Sequence, residues 1–384
     1  MSEPIPVLHV VDTLGLGGAE RFLVGLVTHL DTTRFRPLVA WVSAPGPFAD
    51  DLQRAGIPVV GLHARGHRDV RAWQRLVRLM REEQIRIVHT HLFVDGFYGR
   101  LAALWSKVPA RIVTQQNAYD DPTRRLPRWQ IWTNRALVPI TQQFVAVSSV
   151  AAEYLQKVEW VPRSKIRVIP NAIEIPPPVP EEDVRALRRA WAARDGQGPL
   201  IGTVARLEPQ KGLDVLIRAV ALIRQDVPDV RCVIVGQGAL REPLERLAET
   251  LGVRDRVIFA GTRRDIPAVL AALDVFVLPS RFEGLSLALL EALAAARPVV
   301  ATAVSGTVDV IQPGENGLLV PTEDPAALAH AVVQLLKQPH VARMLGEQGQ
   351  KSVRSRYTID RVAHQYMELY GTLDKRTRPA NTTQ

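Results

Sequence analysis

The sequence has a single cysteine, Cys232, among its 384 residues. One cysteine cannot form an internal disulfide, nor a zinc site with the usual paired-cysteine spacing, so a disulfide scaffold and a zinc ribbon are both excluded. We expect Cys232 to be a small buried hydrophobic residue in the apolar run RCVIVG. The low cysteine content also predicts a reducing, cytoplasmic setting.

Long apolar runs are missing as well. No uninterrupted apolar stretch reaches about 18 residues, so we expect no transmembrane helix. The N-terminal MSEPIPVLHVVDT lacks a basic segment and its apolar stretch is short, so we expect no signal peptide. Aromatic residues make up only 6% of the chain, but apolar residues as a whole make up 47%, which is enough for a large core.

Negative charge is in short supply, and the net charge is +9. Residues 1–176 carry 22 Lys+Arg and 15 Asp+Glu (net +7), whereas residues 177–384 carry 26 and 24 (net +2). An excess in the first half favours an anionic partner there, such as phosphates, a membrane surface or nucleic acid. A solvated arginine-rich surface explains the charge equally well.

Short apolar runs alternate with amphipathic segments, which predicts parallel sheets covered by helices on both faces. The predicted strands are residues 7–12, 38–42, 58–62, 85–89, 111–114, 144–147 and 166–169, and then 200–205, 231–235, 257–259, 275–278, 299–301 and 317–320. Between the two series, EIPPPVPEE (174–182) has the composition of a stiff linker. We therefore predict an N-terminal domain over 1–173 and a second domain over 183–356, with ligands beyond the carboxyl ends of the strands.

Two polar motifs follow predicted strands of the first half. GLGGAE (15–20) is a glycine-rich turn that lets a phosphate approach backbone N–H groups at a helix N-terminus, although a plain tight turn is an equal alternative. HTH (89–91) closes the strand predicted over 85–89, where it is either part of a site or structural. A metal site would need a third ligand, and none has suitable local spacing.

Two further motifs lie in the second half. In RLEPQKG, Arg206 and Lys211 are cations on a strand-to-helix loop, which suits a diphosphate; ordinary surface charge is the alternative. In SRFEGLSLALLEAL, Glu283 lies in a loop and Glu291 in an apolar helix. A carboxylate in such a helix is costly unless it binds something, for example ribose hydroxyls, so we expect it to be buried; a solvent-facing glutamate is the alternative.

Taken in order, these segments resemble the retaining family-4 glycosyltransferases of the GT-B fold. The matching segments are GGAE, HTH, VSS, IPNAI, GTVARLEPQKG, VIVGQG, FAG, DVFVLPSRFEGLSLALLEALAAARPVVAT and GENGLLV. The resemblance covers nearly the whole chain and is most specific over 202–320, where the two glutamates follow the family's E-x7-E pattern. It implies two Rossmann-like α/β domains facing across a cleft, with a helix at about 357–374 packing back on the first domain.

The resemblance also implies a role for each matching residue. It places His91, rather than His89, near the anomeric centre, and it makes Arg206, Lys211 and Glu283 the other catalytic residues. Arg206 and Lys211 would grip the donor diphosphate, Glu283 the donor sugar and Glu291 the ribose. The remaining expected donor-site residues are Gly17, Gly18, Gly236, Thr262, Gly284, Leu285 and Ser286.

We expect no cofactor and no metal, with a UDP-sugar as co-substrate by default. Arg206 and Lys211 can stabilise the leaving diphosphate, and the Asp-x-Asp pair typical of metal-dependent transferases is absent. The expected acceptor is a glycan or a lipid-linked glycan. The segment 119–137 interleaves arginines with Trp129 and Trp132, which is typical of a peripheral contact with an anionic membrane at its inner face, although an ordinary amphipathic helix has the same pattern.

Three other functions remain open on the sequence. A GT-B-fold epimerase would use the same donor, but the E-x7-E pattern disfavours it. The pI near 10 suits a nucleic-acid-binding protein, yet no nucleic-acid-binding module is seen and the arginines are dispersed, so we expect no nucleic acid partner. A non-catalytic sugar-binding protein is disfavoured because every expected donor-site residue is present.

Overall fold

The computed structural model describes residues 3–66, 69–91, 93–116 and 127–377. The chain divides into two compact units, Met1–Glu174 together with Ile359–Gln384, and Ile175–Thr358. Among the described helices, none combines the length and apolar character needed to cross a bilayer.

The first unit is built on a parallel sheet whose strands lie in the order β3-β2-β1-β4-β5-β6-β7. These strands are β1 (Ile5–Thr13), β2 (Phe35–Ala44), β3 (Val59–Gly61), β4 (Ile87–His91), β5 (Ala110–Gln115), β6 (Gln143–Ala146) and β7 (Ile166–Val168). Its helices are α1 (Gly18–Thr28), α2 (Pro47–Arg54), α3 (Val70–Glu82), α4 (Phe93–Trp105), α5 (Arg128–Leu137), α6 (Ser149–Lys157) and, from the C-terminus, α15 (Ile359–Thr377).

The second unit has a parallel sheet in the order β10-β9-β8-β11-β12-β13. Its strands are β8 (Leu200–Val204), β9 (Arg231–Val235), β10 (Val257–Gly261), β11 (Val275–Leu278), β12 (Val299–Thr302) and β13 (Leu318–Val320). Its helices are α7 (Glu181–Trp191), α8 (Leu213–Asp226), α9 (Arg241–Thr250), α10 (Ile266–Ala272), α11 (Leu287–Ala294), α12 (Ser305–Val308), α13 (Pro325–Lys337) and α14 (Pro339–Arg356).

Each predicted strand is present, and no strand end is displaced by more than three residues. The largest consequence concerns HTH, which was expected to close a strand over 85–89. That prediction was wrong, since β4 runs over Ile87–His91 and holds the whole motif. Its three side chains are buried, because β4 is a central strand with helices on both faces of its sheet.

Helix α8 shows how the local pattern builds the core of the second unit. Leu216, Ile217, Val220 and Ile223 follow helical spacing and are fully buried against the sheet. Burying each such side chain stabilises the fold by about 1.5–3 kcal/mol. Cys232 lies in the same cluster and is fully buried, as predicted.

In both sheets the strand order reverses next to the first strand of the unit, at a topological switch point. In the first unit β1 lies between β2 and β4, and in the second unit β8 lies between β9 and β11. Loops that leave the carboxyl ends of such neighbouring strands diverge to opposite faces and open a crevice, where ligands of doubly wound sheets bind. The motifs found in the sequence lie at these two places.

Candidate functional site

In the second unit, the loops after β8 and β11 meet because these strands are paired, with Val275 opposite Ile201. Lys211 Nζ, on the first loop, donates a hydrogen bond of 2.6 Å to Glu283 Oε1 on the second. Both side chains are largely shielded from solvent, at 15% and 6% exposure. The structure therefore brings two predicted site residues into one ion pair.

The position of Glu283 is fixed by further hydrogen bonds. Ser280 Oγ donates to the same Oε1 at 2.6 Å, and Ser305 Oγ donates to the Glu283 carbonyl. Gln210 Nε2 donates to the carbonyl of Phe282 at 3.0 Å. The second carboxylate oxygen of Glu283 takes part in neither carboxylate bond, which leaves it an acceptor for a ligand hydroxyl. None of these supporting polar residues was predicted from the sequence as a site residue.

Arg206 is placed differently from Lys211. Its side chain is 57% exposed, and its Nη1 donates to Glu208 Oε1 at 2.8 Å. An exposed ion pair of this kind contributes less than about 1 kcal/mol, so the guanidinium can exchange Glu208 for an anionic ligand at little cost. Within the described residues, then, Arg206 is not a partner of Glu283.

Two glycines let the loops of this site approach each other. Gly236, after β9, has φ 138°, and a Cβ there would lie 1.9 Å from the carbonyl oxygen of Ala205. Gly212, next to Lys211, has φ 57°, and its Cβ would lie 2.0 Å from the carbonyl oxygen of Pro279. The side chain of any other residue would push these loops apart. Glycine is therefore required at position 236 for the backbone to pack, in addition to its expected role in donor binding.

Helix α11 begins directly after the Glu283 loop. Ser286 caps it, with Oγ accepting from the Leu289 N–H at 3.4 Å, and Gly284 and Leu285 precede the cap. Glu291, expected to be buried in this helix, is half-buried as a whole residue, and its Oε1 atom is buried. The leucines of α11 are buried in the core, whereas Glu291 lies on a more exposed side of the helix. Thr262, after β10, is exposed.

In the first unit, three buried histidines meet at the change of strand order. His9 lies on β1 opposite His89 on β4. His9 Nδ1 lies 3.3 Å from His91 Nε2, within hydrogen-bond distance. His89 lies 2.7 Å through Nδ1 from the Tyr370 hydroxyl and 2.6 Å through Nε2 from Thr114 Oγ1. A third histidine, which local spacing could not reveal, is thus supplied by the neighbouring strand.

Burial keeps these rings neutral near pH 7. It lowers the pKa of His91 to about 3, and it lowers the pKa of His9 and of His89 well below the usual value. Their metal-ligating atoms lie within 4.8 Å of one another. Both nitrogens of His89 are engaged, however, so the group as folded offers two ligands, fewer than the zinc sites of proteins use. A neutral His91 suits hydrogen bonding rather than acid catalysis.

The glycine-rich turn lies at the start of α1. Gly17 is the N-cap and Gly18 the first helical residue. A Cβ on Gly17 would lie 2.1 Å from Glu20 Oε2, so the Glu20 carboxylate covers this glycine. An acidic group is favourable at a helix N-terminus. A donor diphosphate at this turn would have to approach beside that carboxylate.

The basic and aromatic segment predicted over 119–137 is described only from residue 127 onward. Trp129 and Trp132 on α5 are 61% and 59% exposed, and Trp160, from the loop after α6, is 60% exposed. The Arg135 guanidinium carbon lies 3.5 Å from the centroid of the Trp160 ring and 4.9 Å from that of Trp132. We call Trp129, Trp132, Arg135 and Trp160 the tryptophan patch.

Comparison with known proteins covers both units. The model described as Glycosyltransferase Family 4 matches residues 16–175, and the model described as Glycosyl transferases group 1 matches residues 185–352. A UDP-Gal:alpha-D-GlcNAc-diphosphoundecaprenol alpha-1,3-galactosyltransferase from Escherichia coli is 29% identical, over 75% of this chain and 76% of its own. A D-inositol 3-phosphate glycosyltransferase from Xylanimonas cellulosilytica is 32% identical, over 77% of this chain and 73% of its own.

A solved structure resembles the whole chain. HepE from Anabaena, in complex with UDP-glucose, superposes with a TM-score of 0.83 at 22% identity, covering 96% of this chain and 100% of that chain. At this identity the likeness concerns the fold, and the predicted fold of two parallel-sheet α/β domains is confirmed.

Proposed function

This chain belongs to the glycosyltransferase family whose models match its two halves, and it has the GT-B fold. From this we propose that it transfers a hexose-type sugar, with retention, from a UDP-sugar. The proposed acceptor is a hydroxyl group of a lipid-linked or cell-envelope glycan. That it is a nucleotide-sugar-dependent glycosyltransferase follows from the family. The epimerase alternative finds no support among the relatives. UDP as the nucleotide and the class of acceptor are proposals, supported by what the Escherichia coli relative is named for.

The observation that carries the proposed donor site is the Lys211–Glu283 pair. The sugar ring would bind at Glu283, through the carboxylate oxygen that its two bonds leave open. Lys211 and the exposed Arg206 would bind the diphosphate. Glu291, half-buried on the helix that follows, would accept from the ribose hydroxyls. His91, neutral and at the end of β4, would donate or accept a hydrogen bond near the anomeric centre.

The same residues explain how the reaction would proceed without a cofactor or metal. The diphosphate gains charge as the glycosidic bond breaks, and the two cations would stabilise that charge more in the transition state than in the bound donor. A phosphate oxygen on the face of the leaving group would then take the proton of the attacking hydroxyl.

Thermal shift with UDP, GDP and ADP tests the donor site. We expect one nucleotide to raise the melting temperature of the wild-type chain, because a ligand at 100 times its Kd stabilises by about 2.7 kcal/mol. Glu291→Ala should abolish the shift. Glu249→Ala, an exposed glutamate on α9 of the same unit, is the matched control and should retain it.

Two results would contradict this assignment. One is that no nucleotide shifts the melting temperature at millimolar concentration, and the other is that both alanine variants respond like the wild type.

Repeating the titration and a transfer assay with EDTA, and then with manganese, tests whether the reaction needs a metal. A reaction that EDTA abolishes and manganese restores would overturn metal independence.

We also propose that the tryptophan patch contacts an anionic membrane surface from the cytoplasmic side. Exposed tryptophans beside an arginine suit the boundary between lipid headgroups and acyl chains. The excess of positive charge in residues 1–176, a net of +7, supports attraction to anionic lipids. Such a contact would bring the chain to a lipid-linked acceptor.

A further inference from the structure

A further arginine lies between the loops of the proposed donor site. Arg281 follows β11 in the same loop as Glu283, and Asp214 lies in the first turn of α8. Arg281 Nη1 donates to Asp214 Oδ1 at 2.9 Å, and Nη2 donates to Asp214 Oδ2 at 2.8 Å. Paired bonds between a guanidinium and a carboxylate fix the orientation of both groups as well as their distance. The contact therefore joins the loop after β11 to the start of α8 in one geometry.

A second carboxylate reaches the same guanidinium from the loop after β13. Glu323 Oε1 lies 2.5 Å from Arg281 Nε, and Glu323 Oε2 accepts from Nη2 at 3.0 Å. The backbone of Glu323 has φ 58°, a left-handed conformation that residues with a side chain seldom adopt. Its contact with Arg281 gives a reason for a glutamate in a turn that favours glycine. We call Arg281, Asp214 and Glu323 the arginine clamp.

The arginine clamp also holds the loop that carries Lys211. Arg281 Nη1 donates to the Pro209 carbonyl at 2.7 Å, and the Arg281 backbone N–H donates to the Gln210 carbonyl at 2.8 Å. Residues Pro209–Lys211 form a single 3-10 turn. A turn of this length has few hydrogen bonds of its own, so its position depends on contacts from outside. Arg281 therefore fixes the backbone that leads directly into Lys211.

Arg281 differs from Arg206 in what it can offer a ligand. The contacts above engage all three nitrogens of the Arg281 guanidinium, and its side chain is 26% exposed. The hydrogen bond to Asp214 raises the pKa of Arg281 above its usual value. Arg206, by contrast, is 57% exposed and pairs with Glu208. Two carboxylates thus neutralise the charge of Arg281, and its N–H groups are already used, so it is poorly suited to bind a diphosphate.

We propose that Arg281 is a positioning residue of the donor site: the arginine clamp sets the reach of Lys211 toward Glu283 and makes no contact with the donor. This proposal rests on the proposed function for the roles of Lys211 and Glu283. The diphosphate would bind at Lys211 and the sugar at Glu283, so the separation of these side chains must match that of the two groups in the donor. A displacement of about 1 Å at such a site can lower the rate by about a hundredfold.

The same two strands carry a matched control at their other ends. Arg188, on α7, donates through Nη1 to Asp274 Oδ1 at 3.1 Å. Asp274 directly precedes β11, and its Oδ2 accepts from the Leu200 N–H at the start of β8. The Arg188 and Asp274 side chains are 23% and 39% exposed, against 26% and 37% for the corresponding pair of the arginine clamp. The two pairs match in burial and differ in which edge of the sheet they hold.

The first part of the test measures the position of Lys211 without any ligand. The full chain is treated with trace acetic anhydride, and mass spectrometry follows the rate of acetylation at Lys211. We expect slow reaction in the wild type, because this ammonium group is hydrogen-bonded and 15% exposed. The clamp variants are Arg281→Gln and Asp214→Asn, and the control is Arg188→Gln. Lys337, which is 53% exposed, is the internal standard in every chain.

We expect Lys211 to react several-fold faster in both clamp variants and at the wild-type rate in Arg188→Gln. Arg281→Lys, which keeps the charge but not the planar fork of N–H groups, should behave like Arg281→Gln. The second part is calorimetric titration with whichever of UDP, GDP and ADP thermal shift selects. Both clamp variants should bind it about tenfold more weakly, a difference of about 1.4 kcal/mol. The double variant Arg281→Gln with Asp214→Asn should bind no more weakly than either single variant, because both substitutions break the same contact.

The outcomes separate positioning from the alternatives. If Asp214→Asn binds the nucleotide as tightly as the wild type while Arg281→Gln binds it weakly, Arg281 contacts the diphosphate and the proposal is wrong. An unchanged rate at Lys211 in the clamp variants, or an equal rise in Arg188→Gln, would also overturn it and leave Arg281 a general structural role. If the wild type binds none of the three nucleotides but acetylation changes as expected, the arginine clamp is supported and the proposed donor site is not.

Discussion

Lys211 and Glu283 are separated by 72 residues in the chain, yet share a hydrogen bond of 2.6 Å under partial burial. A charge in such a place depends on its partner, because removing one member leaves the other without compensation where water cannot reach it fully. The proposed donor would enter this arrangement as a third member. The residues of highest proposed importance are therefore also ones on which local stability depends.

We predict that Lys211→Met lowers the free energy of unfolding by about 3 kcal/mol. The double variant Lys211→Met with Glu283→Gln should lose less, since it leaves no uncompensated charge. Urea denaturation of the full chain measures both values. A double variant that is less stable than Lys211→Met would contradict the coupling.

The matched control is Lys337→Ala. Lys337 forms an ion pair with Asp226 at the same 2.6 Å, but both side chains are more than half exposed, at 53% and 57%. Its removal should change the free energy of unfolding by less than about 1 kcal/mol. Equal effects at Lys211 and Lys337 would show that burial does not set the strength of these pairs.

Among elements, α5 and the loop after α6 depend on each other for the tryptophan patch. Trp132 and Trp160 lie with ring centroids 6.0 Å apart and edge to face, with Arg135 over both rings. The sequence indicated the α5 part because tryptophan and arginine alternate there. Trp160 lies outside that segment, and its φ of 58° reflects a tight turn that no periodicity signals.

We predict that Trp132→Ala with Trp160→Ala weakens binding to phosphatidylglycerol-containing vesicles by about tenfold, or 1.4 kcal/mol. Co-sedimentation with vesicles measures this. Trp105→Ala is the control, because Trp105 is equally exposed, at 63%, but lies on α4 and packs edge to face on Trp73. Equal weakening by the control, or none by the double variant, would exclude the patch as the contact.

For helix α15, the sequence pattern predicts the helix but not the contacts that it makes. A helix was expected at about 357–374, and α15 runs over Ile359–Thr377. Which side chains it buries follows from the sheet beneath it. Tyr366 and Tyr370, one turn apart, are fully buried, and Tyr370 reaches His89. No local feature of YMELY indicates a histidine partner 281 residues earlier.

At the scale of the molecule, the two units should respond differently to acid. The buried histidines belong to the first unit, and burial lowers their pKa values below that of the unfolded chain. The folded state therefore binds fewer protons than the unfolded state below about pH 6.5. The contribution of each histidine to the free energy of unfolding is therefore fully present above that pH. It falls as the pH drops, by up to about 1.4 kcal/mol per pH unit for each histidine.

We predict that the melting transition of the first unit moves down between about pH 7 and about pH 5.5 more steeply than that of the second, whose described histidines, His330 and His340, are exposed. Glu159 opposes this trend, since burial raises its pKa, but it is one group against three. Differential scanning calorimetry measures both transitions, and the bound nucleotide marks the second. His9→Asn should reduce the slope of the first; an unchanged slope would contradict the assignment.

Local patterns in the sequence predict the strands, the order of the motifs and the donor residues proposed on the second unit. These depend on local information, namely the period of apolar residues and loops of fixed chemistry at strand ends. It placed Glu283 in a loop and Arg206 beside Lys211 in sequence. The pairing of Lys211 with Glu283, and of Arg206 with Glu208, could not be predicted from the sequence. Such pairs depend on the conformation of each loop.

Which distant residues meet depends on the order in which the strands pack. The strand order places β1 between β2 and β4, and this alone brings His9 beside His91 and excludes water from both. The physical reason is that strand order is set by the packing of whole helices and strands around a shared core, a property that no single segment carries.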